Sequence, residues 1–364
     1  AIAPSGRHKQ GHITEDEMQI RFGDRIYAQY IRDISQTSAA KVLRGRVAIG
    51  SLAVSDPPPM PTEGVHALVQ IEKLDADGWT QILDATWGLQ ETPGHPERKL
   101  LLASAESTAV SNLYLPDQVV LRTPLLTFYN RNIELLVADG VRKGRLWSFS
   151  VTARQINGKV EYLQSAANGP GSIKARLSQL IIGPENVEEV SNYVQKTANP
   201  QTLPYLDIDA REVELLGYNL DHIVLRASNH AKPRPANAAL EDETVIASAQ
   251  NAWYIHELKA SLPHGNLKGS GVWAIAGSGA GNHSTLQPHD LAKRFVSLHL
   301  QMETDNFGDV LTHLGQTGLA TGGTGHMAGT IRWSGSPAVP DLETLDGNLK
   351  VEMRNGNITK IDPG

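Results

Sequence analysis

The chain has 364 residues, with 33 Lys and Arg against 39 Asp and Glu for a formal charge of −6, and no cysteine. That length allows a sizeable core; the evenly mixed charge excludes a phosphate-neutralising surface and hence nucleic acid as a partner; the lack of thiols excludes disulfides, cysteine nucleophiles and cysteine-ligated metals. No stretch reaches the roughly 20 apolar residues of a membrane span, and Ala1–Gly11 lacks an apolar leader core. Running from Ala1 to Gly364, the chain reads as a piece of a longer polypeptide whose anchor or targeting signal lies outside it.

Taken from the N-terminus, the sequence alternates apolar and polar residues in short runs. The proline-rich stretch Ser55–Pro61 is a loop, with no place in a central strand. Leu206, Ile208 and Ala210 alternate with polar neighbours, as do Leu298, Leu300 and Met302, and Leu349, Val351 and Met353. Period two means one apolar and one wet face per strand. Asp77-Gly78, Asp139-Gly140, Asn157-Gly158, Asp346-Gly347 and Asn355-Gly356 fall between such runs and predict type I′ hairpin turns, hence an antiparallel meander.

Two short helices are expected. One covers Pro184–Lys196, with Val187, Val190 and Val194 at helical spacing; the other covers Asp305–Leu314, with Asp305 as N-cap and Phe307, Val310, Leu311 and Leu314 on one face. The chain accordingly divides into a β segment at 1–183, a helix and linker at 184–204, and a second β segment at 205–364 carrying the helix near 305–314. An internal similarity accompanies this division. Val119–Val137 aligns without gaps on Leu206–Val224, pairing Leu121 with Ile208, Phe128 with Leu215, Asn132 with Asn219 and Ile133 with Leu220. Each copy is followed by a Trp-led strand, at Trp147 and at Trp253. A repeated hairpin with its apolar residues in register cannot bury its own face and must stack on neighbours.

Motifs for chemistry are missing. Neither His283 with His289 nor His313 with His326 has the i, i+4 helical spacing of a catalytic zinc site, so no metal is expected. Gly277–Ser284 lacks the Lys of a phosphate loop, and Gly323, Gly325 and Gly329 are wrongly spaced for a dinucleotide loop. Ser278 and Ser334 are not in a Gly-x-Ser-x-Gly elbow, and the carboxylates Glu188-Glu189 and Glu241-Asp242-Glu243 lie in polar runs. The expectation is a non-enzyme without catalytic residues or cofactors. The apolar stripe itself then has two readings: the closed core of a β-sandwich scaffold that binds an envelope protein partner, or an open sheet whose apolar face binds something equally apolar.

Ala328–Gly364, with its Trp strand, Gly-Ser-Pro, Leu-x-Gly-x-Leu, hairpin and Pro-Gly, resembles the C-terminal part of AsmA-like proteins of the YhdP branch. Asp305–Gly315 with Gly322-Gly323 is similar to the helix and Gly-rich return that precede it there, and 203–227 and 253–273 look like upstream strand units of that family. The resemblance implies a mainly β fold: an elongated, curved antiparallel groove of repeated hairpins with a few short helices. It implies periplasmic localisation, an inner-membrane anchor on a segment absent from this chain, and passage of phospholipid acyl chains between the inner and outer membranes. It also implies contacts with proteins of both membranes through ends beyond this chain. The expected groove lining is Leu121, Phe128, Ile208, Leu215, Leu298, Leu300, Ile331, Trp333, Leu349 and Val351, with Arg122, Asp209, Lys350 and Glu352 facing water.

Overall fold

A computed structural model describes residues 2–3, 8–9, 12–35, 40–76, 114–128, 131–165, 170–183, 203–215, 217–229, 252–275, 294–313, 317–337, 340–341 and 343–359. The fold is mainly β, with parallel and antiparallel strand pairs and two short helices among these residues. The chain divides into two units, Ala1–Arg154 and Gln155–Gly364.

The first unit begins with three two-residue strands, β1 (Ile2–Ala3), β2 (His8–Lys9) and β3 (His12–Ile13), of which β2 and β3 pair only with each other and β1 pairs with β4 (Glu15–Phe22). From β4 the sheet continues through β5 (Ile26–Asp33) and β6 (Lys41–Ile49), each antiparallel to the last. Helix α1 (Ser51–Ser55) and the prolines after it then carry the chain back, so that β7 (Gly64–Gln70) lies parallel to β6. β7 and the short β8 (Lys73–Asp75) run successively parallel to β9 (Gln118–Phe128), which pairs antiparallel with β10 (Arg131–Lys143) and that with β11 (Leu146–Thr152).

The second unit is a run of sequential neighbours: β12 (Ile156–Leu163), β13 (Ser172–Ile182), β14 (Tyr205–Leu215), β15 (Tyr218–Ser228), β16 (Ala252–Leu262), β17 (Gly265–Ile275), β18 (Arg294–Thr304), β19 (Ala320–Ser334) and β20 (Asp346–Ile358). All pair antiparallel except β13 and β14, which are parallel. Helix α2 (Phe307–His313) lies between β18 and β19.

The expectation of a purely antiparallel meander is thus corrected to a mixed sheet. The parallel pairs are β6 with β7, β7 and β8 with β9, and β13 with β14, where the later strand starts at the same end as its neighbour. The expected helix at 184–196 falls outside the described residues, as do Asp77 and Gly78.

The other four Asx-Gly pairs are not turns. Asp139-Gly140 sits in mid-strand opposite Ser150 and Phe149, Asn157-Gly158 is a bulge within β12, Asp346-Gly347 opens β20, and Asn355-Gly356 lies inside it. The tight turns instead use Gly23 and Gly144, with φ of 56° and 59°, Gly217 at 85°, and His264 at 65° after Pro263. α1 was not anticipated, because its five residues follow a strand without any capping signal: its N-cap Gly50 makes no side-chain cap.

Candidate functional site

Strand register in the second unit places apolar residues side by side across nine strands. One row reads Leu349, Gly329, Leu300, Gly269, Leu258, Leu225, Ile208, Ala175 and Val160, each paired with the next. The row on one side includes Ile331, Leu298, Ile255, Ala227 and Leu206; the row on the other includes Val351, Met327, Met302, Leu267, Ala260 and Ile223. Directly opposed side chains share a face and alternate residues lie about 7 Å apart, so these rows make one apolar band about three side chains wide.

The band is closed along both margins and open between them. Along one margin, Trp253, Trp273 and Trp333 pack with Val296, Ile255 and Ala227, and Trp273 is wholly buried. Each indole N–H donates to a backbone carbonyl, Trp253 to Pro204 at 3.3 Å, Trp273 to Gly335 and Trp333 to Ser336, both at 2.8 Å, so these loops are pinned over the rings. Arg294 extends this margin with its guanidinium 5.7 Å from the Trp273 ring centroid, and burial pulls its pKa below the usual arginine range.

Along the other margin, at β17–β20, α2 lays Phe307, Val310 and Leu311 on Leu267, Met302, Met327 and Met353. A Cβ on Gly308 would come within 2.8 Å of the Ala320 carbonyl oxygen, so the helix backbone rests directly on β19. The helix is capped by Asn306, whose side-chain oxygen accepts the Asp309 N–H at 3.1 Å; Asp305, the cap expected from sequence, instead pairs with His264 at 3.0 Å. Cap geometry explains the shift: the acceptor must sit three residues before the N–H it satisfies.

Between the margins Leu206, Leu225, Leu258, Leu298, Leu300 and Ile331 are only half-buried. Leu349 and Val351 on β20 are 48% and 51% exposed. Within the unit no second sheet covers this band among the described residues. A sandwich core would have removed these leucines from water.

The reverse face is ionic. Lys174, Asp207, Arg226 and Glu257 occupy one cross-strand row over β13–β16 with alternating sign. Arg176 binds Asp207 at 2.7 Å, Arg226 contacts Asp207 at 3.5 Å and also pairs with Glu257, which Lys259 binds at 2.5 Å. The Arg176 hydrogen bond holds the Asp207 carboxyl below the ordinary carboxylate range. One charged face and one apolar face fix which side of the sheet meets water.

The first unit also carries an apolar face, but on its reverse α1 packs Ala53 and Val54 on Ala48, Tyr27 and Leu68. Ile20, Ala28, Val47, Ala67, Val119, Gly140 and Phe149 form a row across β4–β7 and β9–β11, and Ile26, Ile49, Val69, Leu121, Ala138 and Val151 form the next. Its closed margin is a polar cluster. Arg32 pairs with Asp16 and donates to the Tyr114 hydroxyl at 3.2 Å, and Tyr114 meets Tyr30 edge-on at 5.2 Å between centroids. The paired Asp16 carboxylate raises the Arg32 pKa, and burial, helped by Tyr114, raises that of Tyr30.

The sequence profile of the family described as YhdP protein matches residues 6–364. The chain belongs to the YhdP family. No curated protein and no solved structure matches it. The YhdP family is one of cell-envelope proteins and fits lipid transport in general; as far as is known it is not a family of enzymes. Among the described residues of this YhdP-family chain no helix is long and apolar enough to cross a membrane, and no group of three His, Asp or Glu could hold a metal.

Of the residues singled out from sequence, Ile208, Leu298, Leu300, Ile331, Leu349 and Val351 come together on the band of the second unit, and Leu215 ends the same face of β14. Leu121 lies on the corresponding face of the first unit, and Phe128 ends β9 opposite Arg131. Trp333 is 3% exposed and belongs to the closed margin, not to the open band. The aligned segments form hairpins of equal register: Leu121 opposes Ala138 as Ile208 opposes Leu225, and Phe128 opposes Arg131 as Leu215 opposes Tyr218. Sequence reading missed Ile255, Leu258, Leu225 and Met327. The last three are predictable once β14 and β18 are placed, since pairing carries the apolar face from strand to strand.

Proposed function

We propose that the apolar faces of the two units are a lining along which the acyl chains of phospholipids pass. The protein would do this in the periplasm, held to the inner membrane by a segment outside this chain and engaging proteins of both membranes through sequence beyond it. The observation that carries the reading is the uncovered band of half-buried leucines in the second unit, bounded by the Trp margin and α2. An acyl chain in water and an exposed Leu face both lose unfavourable hydration when they meet, at about 25 cal/mol for each Å² removed from water. Such contact is non-directional, so a guest sliding from row to row exchanges equivalent contacts without breaking hydrogen bonds. Family membership supports the lipid assignment, and phospholipid is the two-chain envelope lipid that a band several side chains wide accommodates.

The test is to purify the chain without detergent from cells expressing it in the periplasm, extract it, and record native mass spectra. Phospholipid should co-purify, and Leu300→Lys or Val351→Lys should deplete it while the far-ultraviolet circular dichroism is unchanged. A wild-type protein that is empty and takes up no phospholipid from vesicles would sink the proposal.

A further inference from the structure

The apolar faces contain several glycines, and what a side chain would meet differs among them. At Gly271 an added Cβ lies 2.2 Å from the Ser297 carbonyl oxygen, and at Gly329 2.0 Å from that of Asn348; close backbone approach dictates glycine there. At Gly45 the obstacle is the Tyr30 ring at 2.5 Å, but Tyr30 is itself covered by Tyr114. At two further positions, one in each unit, the nearest obstacle is the half-buried side chain directly across the ladder. The nearest atoms to a Cβ on Gly140 are those of the Phe149 ring, at 2.5, 2.7 and 3.4 Å, and a Cβ on Gly269 would first meet Leu300 Cδ2 at 2.7 Å and then the His299 carbonyl oxygen at 3.2 Å. Each is the direct cross-strand partner of the side chain in question, and both partners are half-buried, with the Phe149 ring also stacked on Trp147 at 5.5 Å between centroids. Neither glycine has positive φ, so backbone conformation does not require it.

Phe149 and Leu300 therefore lie down over bare backbone, where any other residue would make them stand up. We propose that Gly140 and Gly269 set the depth of the lining by keeping Phe149 and Leu300 flat, and so determine the bulk of acyl chain it admits. This rests on the reading of the face as an acyl-chain lining. The competing role is pure packing, in which a large side chain shields a strand glycine from water and stabilises the pair. The two differ in what Gly→Ala does. As a packing device its loss lowers stability; as a depth device it raises the floor, while the strand gains a better β-former than glycine.

The experiment uses the full chain and a phosphatidylglycerol probe with one pyrene-labelled acyl chain, offered in vesicles of dioleoyl phosphatidylcholine. Gly140→Ala and Gly269→Ala should each weaken probe uptake about tenfold, the effect of overpacking by a methyl group, with the thermal midpoint unchanged or raised. Removing the lifted side chain should restore uptake, in Gly140→Ala/Phe149→Ala and Gly269→Ala/Leu300→Ala. Uptake equal to wild type in the single variants overturns the proposal. So does a loss that tracks a falling thermal midpoint without rescue in the double variants. A wild-type chain that takes up no probe overturns the acyl-lining reading itself, and the proposal with it.

Discussion

Leu300→Lys separates an open face from a closed core most sharply. Leu300 is half-buried, its two cross-strand partners are the bare Gly269 and Gly329, and within its unit no second sheet among the described residues lies over it. A lysine there can lay its methylenes along the floor and hold the ammonium in water. The cost is then part of one leucine transfer, about 1–2 kcal/mol. Under a covering layer the ammonium would be buried without a partner, at more than about 4 kcal/mol. The gap corresponds to roughly a hundredfold in the unfolding equilibrium, well outside the error of a urea midpoint. Val310→Lys is the internal standard, since Val310 is wholly buried between α2 and the sheet. With Trp79, Trp87 and Trp147 of the first unit replaced by Phe, the fluorescence of Trp253, Trp273 and Trp333 reports the second unit. Equal destabilisation by the two substitutions would refute the open-face argument, whatever happened to lipid uptake.

Three further outcomes follow from the polar features. Because Arg176 holds the Asp207 pKa below its ordinary value, that carboxylate's stabilisation is complete above the unfolded pKa of about 3.9 and is lost as pH falls through the lower folded value. Acid titration of Trp fluorescence should show Asp207→Asn less acid-sensitive than wild type below about pH 4; parallel curves would contradict this. Arg32→Ala leaves the buried Asp16 without its cation and should destabilise the first unit by about 3 kcal/mol in thermal melts, whereas a cost under about 1 kcal/mol would class the pair with surface ion pairs. Asn306→Ala removes the α2 cap, costs about 1 kcal/mol, and should speed hydrogen exchange at the Asp309 amide, while strand amides of β18 keep their protection.

Much of the fold was legible from local pattern. The alternation at Leu206–Ala210, Leu298–Met302 and Leu349–Met353 corresponds to strands β14, β18 and β20, and the apolar spacing at Phe307–Leu311 corresponds to α2. The turns were not legible, although four Asx-Gly pairs pointed to them. Gly140 is needed for the space it leaves to Phe149, and Gly158 and Gly347, besides their positive φ, for close approach of the neighbouring strand's backbone, which nothing local in sequence announces. A glycine that serves a turn and a glycine that serves a neighbour across the sheet are spelled alike. Trp333 was misplaced for a related reason: alternation assigns it to the apolar face, but only the Ser336 carbonyl folding back onto its indole N–H puts it in a closed margin.

By itself the sequence determined that the chain is β, which residues share a face, and that this face is apolar while its reverse is charged, because period-two alternation is a property of each strand alone. The tertiary structure decided the rest. Parallel or antiparallel pairing depends on where the long connections return the chain, and whether an apolar face becomes a core or a lining depends on what covers it. In the second unit the Trp margin and α2 cover its two sides and leave Leu298, Leu300 and Ile331 between them half in water.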